Sequence, residues 1–341
     1  MAIQCFLYDA DGQDREIKLA DINMAKLDKR TLLWVDSDGE DDKEMEALAA
    51  ALEIDREVLR PSERKHAPTL DNYGTYFRFN ADTAPGHSKE GEEDEPVSPG
   101  EQEDSHKGGV AGSVRLDFLV GEKWLLTFHR APIPFLQHFR AQDKAETHIG
   151  ELSPQKLAAS LLDWHLGEYF HEVSLIEAST DKLEERILRE EANDRVLSRI
   201  VAVRRRIARL RAILVAQRDI FYGLSRPDFA LVADAGALPF YEALAGRFDR
   251  AVDEVERSRD VVVGSFDIYT ARASQQTNDL VKALTFITAI IGVCAAVAGL
   301  FGMNFEASVF KAGDTGFYAA TFGLAGFSLA AVALAKLRAW L

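Results

Sequence analysis

Apolar residues concentrate at the C-terminal end of the chain, whereas the residues before it are rich in charge. From residue 283 to 305 there are 23 residues without a charged side chain, and from 315 to 335 there are another 21. Each stretch is long enough to cross a hydrocarbon core of about 30 Å at about 1.5 Å per residue. The pattern predicts two transmembrane helices, over 283–303 and 315–335, joined by an exposed loop over 304–314.

Basic residues flank this predicted hairpin unevenly. Arg272 and Lys282 precede the first span, Lys336 and Arg338 follow the second, and the loop between them carries only Lys311. Lysine and arginine are enriched in the cytoplasmic segments of membrane proteins. We therefore expect an integral protein of the bacterial inner or plasma membrane, with a transmembrane hairpin over residues 282–341 and both termini in the cytoplasm.

Residues 1–150 show the shorter periods of strands, mixed with helical segments. Apolar and charged residues alternate along Ser113–Val120, and Gly121-Glu122 offers a tight turn into Lys123–His129, which predicts a β-hairpin. Further strands are predicted at Gln4–Tyr8, Leu32–Val35 and Thr75–Asn80, and helices at Lys43–Leu52 and Pro134–Arg140. The fold class that follows is an α+β cytosolic domain whose antiparallel or mixed sheet is flanked by helices.

An acidic run interrupts this domain at residues 83–111. It contains glycine, proline and serine, together with eight acidic residues against two lysines. Segments with little apolar surface and a high net charge do not bury enough area to fold. We expect a disordered acidic loop.

From Ser153-Pro154 onward the sequence becomes helical, with serine as the N-cap and proline at the first helical position. Residues 151–281 are expected to form a helical stalk without strands. A heptad seam, interrupted only by Gln217, predicts a long helix packed against another. Its apolar positions are Val196, Ile200, Val203, Ile207, Leu210, Leu214 and Phe221.

A second long helix begins at Pro239, and no proline interrupts it before the membrane. If it continues to Gly302, its 64 residues extend about 95 Å at about 1.5 Å each. The stalk helix would then enter the bilayer directly as the first transmembrane span.

The formal net charge is -15, which argues against a nucleic-acid partner. An arginine-rich stretch lies on the heptad helix, next to an acidic segment, so interhelical ion pairs account for it. These arginines are Arg199, Arg204, Arg205, Arg206, Arg209, Arg211 and Arg218.

Signals for catalysis are weak. His171-Glu172 lacks the second histidine of a metalloprotease helix, and the sequence contains neither a serine–histidine–acid constellation nor a Walker-type loop. Cys5 and Cys294 are the only cysteines and are interpreted as packing residues in a reducing compartment. We expect no enzymatic activity and no cofactor.

The first predicted span ends in Gly302, Met303 and Asn304, followed by Phe305-Glu306. This triplet at the outer end of the first of two C-terminal spans resembles the signature of the CorA family of magnesium and divalent-cation transporters. The resemblance extends over Leu33–Asp36, Pro68–Tyr73 and Thr277–Thr285.

The resemblance implies a homopentameric funnel in which the first span of each subunit lines a pore and the second span surrounds it. The selectivity motif would be Gly302, Met303 and Asn304. Because Mg²⁺ sheds its water reluctantly and prefers octahedral oxygen ligands, a ring of Asn304 carbonyl oxygens suits a hydrated ion. Glu306 would add a carboxylate at the mouth, or would simply be a solvated loop acid.

Further residues correspond to positions of that family. Asn278 matches a pore residue at the cytosolic end of the membrane, Leu284 a hydrophobic constriction with Thr285 beside it, and Asp267 an acidic ring. Asp260 falls where the family places a regulatory cation site that holds the pore closed when cytosolic Mg²⁺ is high. Its partner carboxylate stays open, because the sequence departs from the family pattern around Asp82.

The transported ion also stays open. The resemblance favours Mg²⁺, with Co²⁺ or Ni²⁺ as further cargo, but Gln217–Phe221 is similar to a segment of the zinc-transporting ZntB-like branch. Against Zn²⁺, no histidine follows His171 and Cys294 is the only thiol of the pore region. A different class of function is a membrane-anchored oligomeric scaffold, for which the hairpin is only an anchor.

Overall fold

The computed structural model describes residues 3–11, 14–28, 30–38, 42–59, 67–85, 112–142, 148–189, 193–302 and 313–337. They form two compact units, one from residues 1–180 and 201–262 and the other from 181–200 and 263–341. The strands are β1 (Ile3–Asp9), β2 (Arg15–Ile17), β3 (Thr31–Ser37), β4 (Leu70–Asn72), β5 (Phe77–Asp82), β6 (Arg115–Val120) and β7 (Trp124–His129). The helices are α1 (Asp42–Leu52), α2 (Pro134–Gln142), α3 (Pro154–Arg189), α4 (Asp194–Val215), α5 (Arg218–Leu224), α6 (Ala230–Ala233), α7 (Leu238–Gly302) and α8 (Gly313–Leu337).

A single seven-stranded sheet forms the N-terminal part of the first unit. Its strand order is β2-β1-β3-β7-β6-β5-β4, and only the β3–β7 pair is parallel. The predicted mixed sheet and the β6–β7 hairpin are confirmed, and the backbone N–H of Gly121 donates to the carbonyl of Trp124 at 2.9 Å. The three-residue strands β2 and β4 were not predicted.

The sheet is covered on both faces, because alternate side chains of each central strand enter different apolar clusters. Leu33 and Val35 of β3 belong to one apolar cluster, which also contains Leu48 of helix α1. Trp34, between them, enters the larger cluster with α2, α3 and the first turns of α7. Strands β3 and β7 are therefore buried on both sides, which explains why each contains a nearly continuous apolar run.

Ion pairs connect helices of the first unit. Arg206 of α4 lies 2.7 Å from Glu172 of α3, and Arg211 lies 2.9 Å from Glu256 of α7. The prediction that arginines of the heptad helix form interhelical ion pairs is confirmed for these two. Residues 86–111, which include most of the predicted disordered loop, lie outside the described residues.

The heptad seam does not belong to one helix, as the sequence predicted. Helix α4 ends at Val215 and α5 begins at Arg218, with Gln217 fully buried between them. The Gln217 side chain donates to the carbonyl of Asp82 at 3.0 Å and to the hydroxyl of Tyr169 at 2.9 Å. A polar side chain that satisfies buried groups at this point ends the helix.

Two long apolar helices dominate the second unit. The continuous helix predicted from Pro239 to Gly302 is confirmed as α7, and the second span as α8. Both are long and apolar enough to cross a membrane, and none of their most apolar 18-residue windows is buried inside the structure. Core helices of a soluble protein would be covered, so this exposure fits helices surrounded by lipid or by other subunits.

Candidate ion pathway on helix α7

Helix α7 packs against α8 along one side within its apolar part. The half-buried residues of α7 here are Ala283, Phe286, Ile290, Cys294 and Val297. They recur at intervals of three and four, which places them on one side of a helix. The thiol of Cys294 lies 3.5 Å from the hydroxyl of Ser328 on α8. This side of α7, named here the α8 side, is therefore occupied within the chain.

The covered side of α8 carries small residues. Its buried or half-buried positions are Gly316, Ala320, Leu324, Ser328, Ala331 and Ala335. Small side chains allow close helix contact in lipid. The two helices contact each other at Cys294 and Ser328, and the opposite side of α7 stays uncovered within the described chain.

Three predicted pore residues share the uncovered side. Asp267, Asn278 and Thr285 are exposed and lie within about 20° of one another around the helix axis at 3.6 residues per turn. Thr285 lies about 140° from Ile290, in the middle of the α8 side. The structure thus places these three residues in one line along α7.

Leu284, the predicted constriction, lies at the margin of this line. Its side chain is 65% exposed, but it is rotated about 100° around the axis from Thr285. Gly302 is the last residue of α7 and is exposed. Met303, Asn304 and Glu306, which complete the predicted motif and the mouth of the pore, lie outside the described residues.

Within the apolar part of α7, the polar side chains on the uncovered side are the hydroxyls of Thr285 and Thr288. The Thr285 hydroxyl donates to the carbonyl of Val281 at 2.8 Å, and the Thr288 hydroxyl donates to the carbonyl of Leu284 at 2.8 Å. Thr288 was not predicted as a pore residue, although its position one turn beyond Thr285 is visible in the sequence.

The predicted regulatory residue Asp260 is exposed and lies 3.8 Å from Arg259. Asp82, near the position where its partner was sought, is engaged elsewhere, because its carboxylate accepts two hydrogen bonds from Arg115 at 2.8 and 2.9 Å. Within the described ranges, no group of three histidine, cysteine or acidic residues is arranged to hold a metal ion.

Comparison with known proteins gives matches over most of the chain. A family model described as CorA-like Mg²⁺ transporter protein matches residues 29–337. The cobalt/magnesium transport protein CorA of Thermotoga maritima is 31% identical over 150 residues, which are 44% of this chain and 42% of that protein. The aligned stretch thus spans less than half of that relative's length.

Two solved structures share the fold. The complete structure of the CorA magnesium transporter from Methanocaldococcus jannaschii has a TM-score of 0.73 and 17% identity, with 100% of both chains covered. The ZntB cytoplasmic domain from Vibrio parahaemolyticus has a TM-score of 0.56 and 11% identity, covering 81% of this chain and 100% of that one. The mixed sheet, the long helices and the two apolar C-terminal helices are features of this fold.

Proposed function

This chain belongs to the family of CorA-like Mg²⁺ transporter proteins, and from that premise we propose that it forms a channel through which hydrated Mg²⁺ enters the cell. The channel is a homopentamer in the bacterial inner or plasma membrane, with both termini in the cytoplasm. Helix α7 of each subunit lines the pore and α8 faces outward. The protein is a transporter without enzymatic activity or cofactor, and Mg²⁺ is its cargo.

The observation that carries this proposal is the line of Asp267, Asn278 and Thr285 on the side of α7 that α8 leaves uncovered. A carboxylate, an amide and a hydroxyl along one side offer oxygen atoms to the water shell of a cation. Oxygen ligands suit Mg²⁺, which keeps much of its hydration shell in proteins. Five copies of this side around an axis give a polar path at the cytosolic end and into the membrane.

Mg²⁺ is favoured over Zn²⁺ by the position of the only thiol in the spans. Cys294 lies on the α8 side, where its sulfur contacts Ser328, and is therefore turned away from the proposed path. No histidine follows His171 in the sequence. Nitrogen and sulfur ligands, which Zn²⁺ prefers, are thus lacking along the described path. Co²⁺ and Ni²⁺ remain further candidate ions, and a ZntB-like zinc transporter is the alternative.

Regulation by cytosolic Mg²⁺ is part of the proposal. Asp260 supplies one carboxylate of a site between subunits, and a neighbouring copy supplies the other ligands. The Asp260 carboxylate is exposed, and its ion pair with Arg259 at 3.8 Å is long, so it is open to such a cation. A bound divalent ion would hold adjacent stalks together and keep the pore closed.

Uptake into proteoliposomes tests the function. We expect the purified full chain to admit Mg²⁺ along its gradient, and Asn304→Ala to abolish uptake because the ring of amide oxygens at the mouth is lost. Asn23→Ala, in an exposed turn of the first unit, is the matched control and keeps wild-type uptake. Zn²⁺ uptake without Mg²⁺ uptake would favour the zinc alternative. If no divalent ion is taken up, the channel is rejected and the membrane-anchored scaffold becomes the better explanation.

A further inference from the structure

The apolar part of α7 contains few polar side chains, and their positions are informative. Between residues 283 and 302 these are Thr285, Thr288 and Cys294. Cys294 lies on the α8 side, whereas both threonines are exposed on the opposite side. Thr288 is rotated about 160° from Ile290 and about 60° from Thr285. The proposed pore lies on the side of α7 that α8 leaves uncovered, so both hydroxyls belong to the pore side.

The internal hydrogen bonds of the threonines determine what they offer to the pore. Each hydroxyl has one hydrogen and two lone pairs. Thr288 uses its hydrogen for the carbonyl of Leu284 at 2.8 Å, as Thr285 does for the carbonyl of Val281. Only oxygen lone pairs then remain to face outward. Such a group accepts hydrogen bonds from the water shell of a cation and does not donate one to an anion.

We propose that Thr288 forms a second ring of hydroxyl acceptors, one turn outward from Thr285, which helps to select hydrated divalent cations. This inference rests on the proposed channel function and adds a residue to its specificity. The two rings are about 4.5 Å apart along the helix at about 1.5 Å per residue, so one hydrated ion contacts both. An ion leaving one ring is then already held by the next.

Removal of the hydroxyl tests the role of Thr288. In uptake assays with the full chain, we expect Thr288→Val to raise the half-saturating Mg²⁺ concentration about two- to tenfold, as loss of a hydrogen bond to water implies. Thr288→Ser, which retains the hydroxyl, stays within about twofold of wild type. Thr321→Val is the control on α8, because Thr321 is exposed and its hydroxyl makes the same internal bond, to the carbonyl of Phe317 at 2.9 Å.

Chemical labelling provides a readout that a purely structural role would not change. In a Cys294→Ala background, the remaining Cys5 is 1% exposed. We expect Thr288→Cys in this background to be modified by a charged, membrane-impermeant thiol reagent, and the modification to block uptake. The reagent reaches the residue only through water, so modification reports a position in the pore.

The results separate this inference from the proposed function. Two results would overturn the assignment of Thr288 alone, provided that the chain still transports Mg²⁺. One is a wild-type half-saturating Mg²⁺ concentration for Thr288→Val. The other is a Thr288→Cys variant that the charged reagent does not modify. If the wild-type chain admits no divalent ion, the proposed function fails and this inference fails with it.

Discussion

At the residue scale, one buried polar network joins the sheet to the helices of the first unit. Gln217 Oε1 lies 3.0 Å from Nε2 of His165, while its amide nitrogen binds the carbonyl of Asp82. Because the Gln217 oxygen can only accept a hydrogen bond, Nε2 of the neutral His165 ring carries the proton and donates it. Burial lowers the pKa of His165 to about 4, against the weaker opposite effect of the Gln217 hydrogen bond. The network therefore depends on an uncharged histidine.

This network gives the protein a defined acid sensitivity. Because the pKa of His165 is about 4 in the folded chain and about 6.5 when unfolded, the unfolded state binds an extra proton between these pH values. Stability is thus fully present above pH 6.5 and falls as pH drops towards 4, by up to about 1.4 kcal/mol per pH unit. We expect His165→Gln to flatten this slope in denaturant unfolding of the full chain in detergent.

The two proteins should show parallel curves between pH 7 and 8, where the histidine is neutral in both folded and unfolded chains. An unchanged slope between pH 6.5 and 4 would show that other groups cause the acid sensitivity. The sequence marked Gln217 as an interruption of the heptad seam and as the start of a segment similar to the ZntB-like branch. The sequence did not indicate the hydrogen-bond network of Gln217, because its partners Tyr169 and Asp82 lie 48 and 135 residues away along the chain.

At the scale of elements, long periodic segments were predicted well and short edge elements were not. Helix α7 was predicted to within one residue at its start, because its apolar face and the absence of proline are local features. Strands β2 and β4 have three residues each and mostly exposed side chains, so no alternation marks them. In the site, Asp267, Asn278, Leu284 and Thr285 were assigned as pore residues from family resemblance, without their positions around the helix. Which side of α7 is free depends on the packing of α8.

The packing of α3 and α4 provides a test at this scale. Glu172 and Arg206 form an ion pair whose side chains are 9% and 15% exposed. Loss of Glu172 removes a mostly buried carboxylate that compensates the charge of Arg206, so we expect Glu172→Met to lower the free energy of unfolding by about 3 kcal/mol. The double variant Glu172→Met/Arg206→Met should recover most of that loss, since an apolar pair replaces the charges.

Arg204→Met, at an exposed position of the same helix, is the control and should change stability by about 0.5 kcal/mol or less. Thermal and denaturant unfolding of the full chain in detergent measure all four proteins. If the double variant is no more stable than Glu172→Met alone, the cost does not come from loss of the Glu172–Arg206 ion pair.

At the scale of the whole molecule, the chain combines a strongly acidic polar part with two uncharged spans. The formal charge of -15 attracts cations and raises their concentration near the protein. The proposed channel needs no internal energy source, because the membrane potential supplies about 2.3 kcal/mol per charge for each 100 mV. A divalent ion therefore gains about 4.6 kcal/mol at 100 mV by moving inward.

The most direct measurement of the central claim is the reversal potential of the full chain in a planar bilayer under a Mg²⁺ gradient. At about 1.4 kcal/mol per tenfold ratio, passive movement of a divalent cation shifts this potential by about 30 mV for each tenfold change in Mg²⁺. The proposed channel predicts that shift, independent of a pH gradient. A bilayer without Mg²⁺ current, or a reversal potential that follows the pH gradient instead, would contradict it.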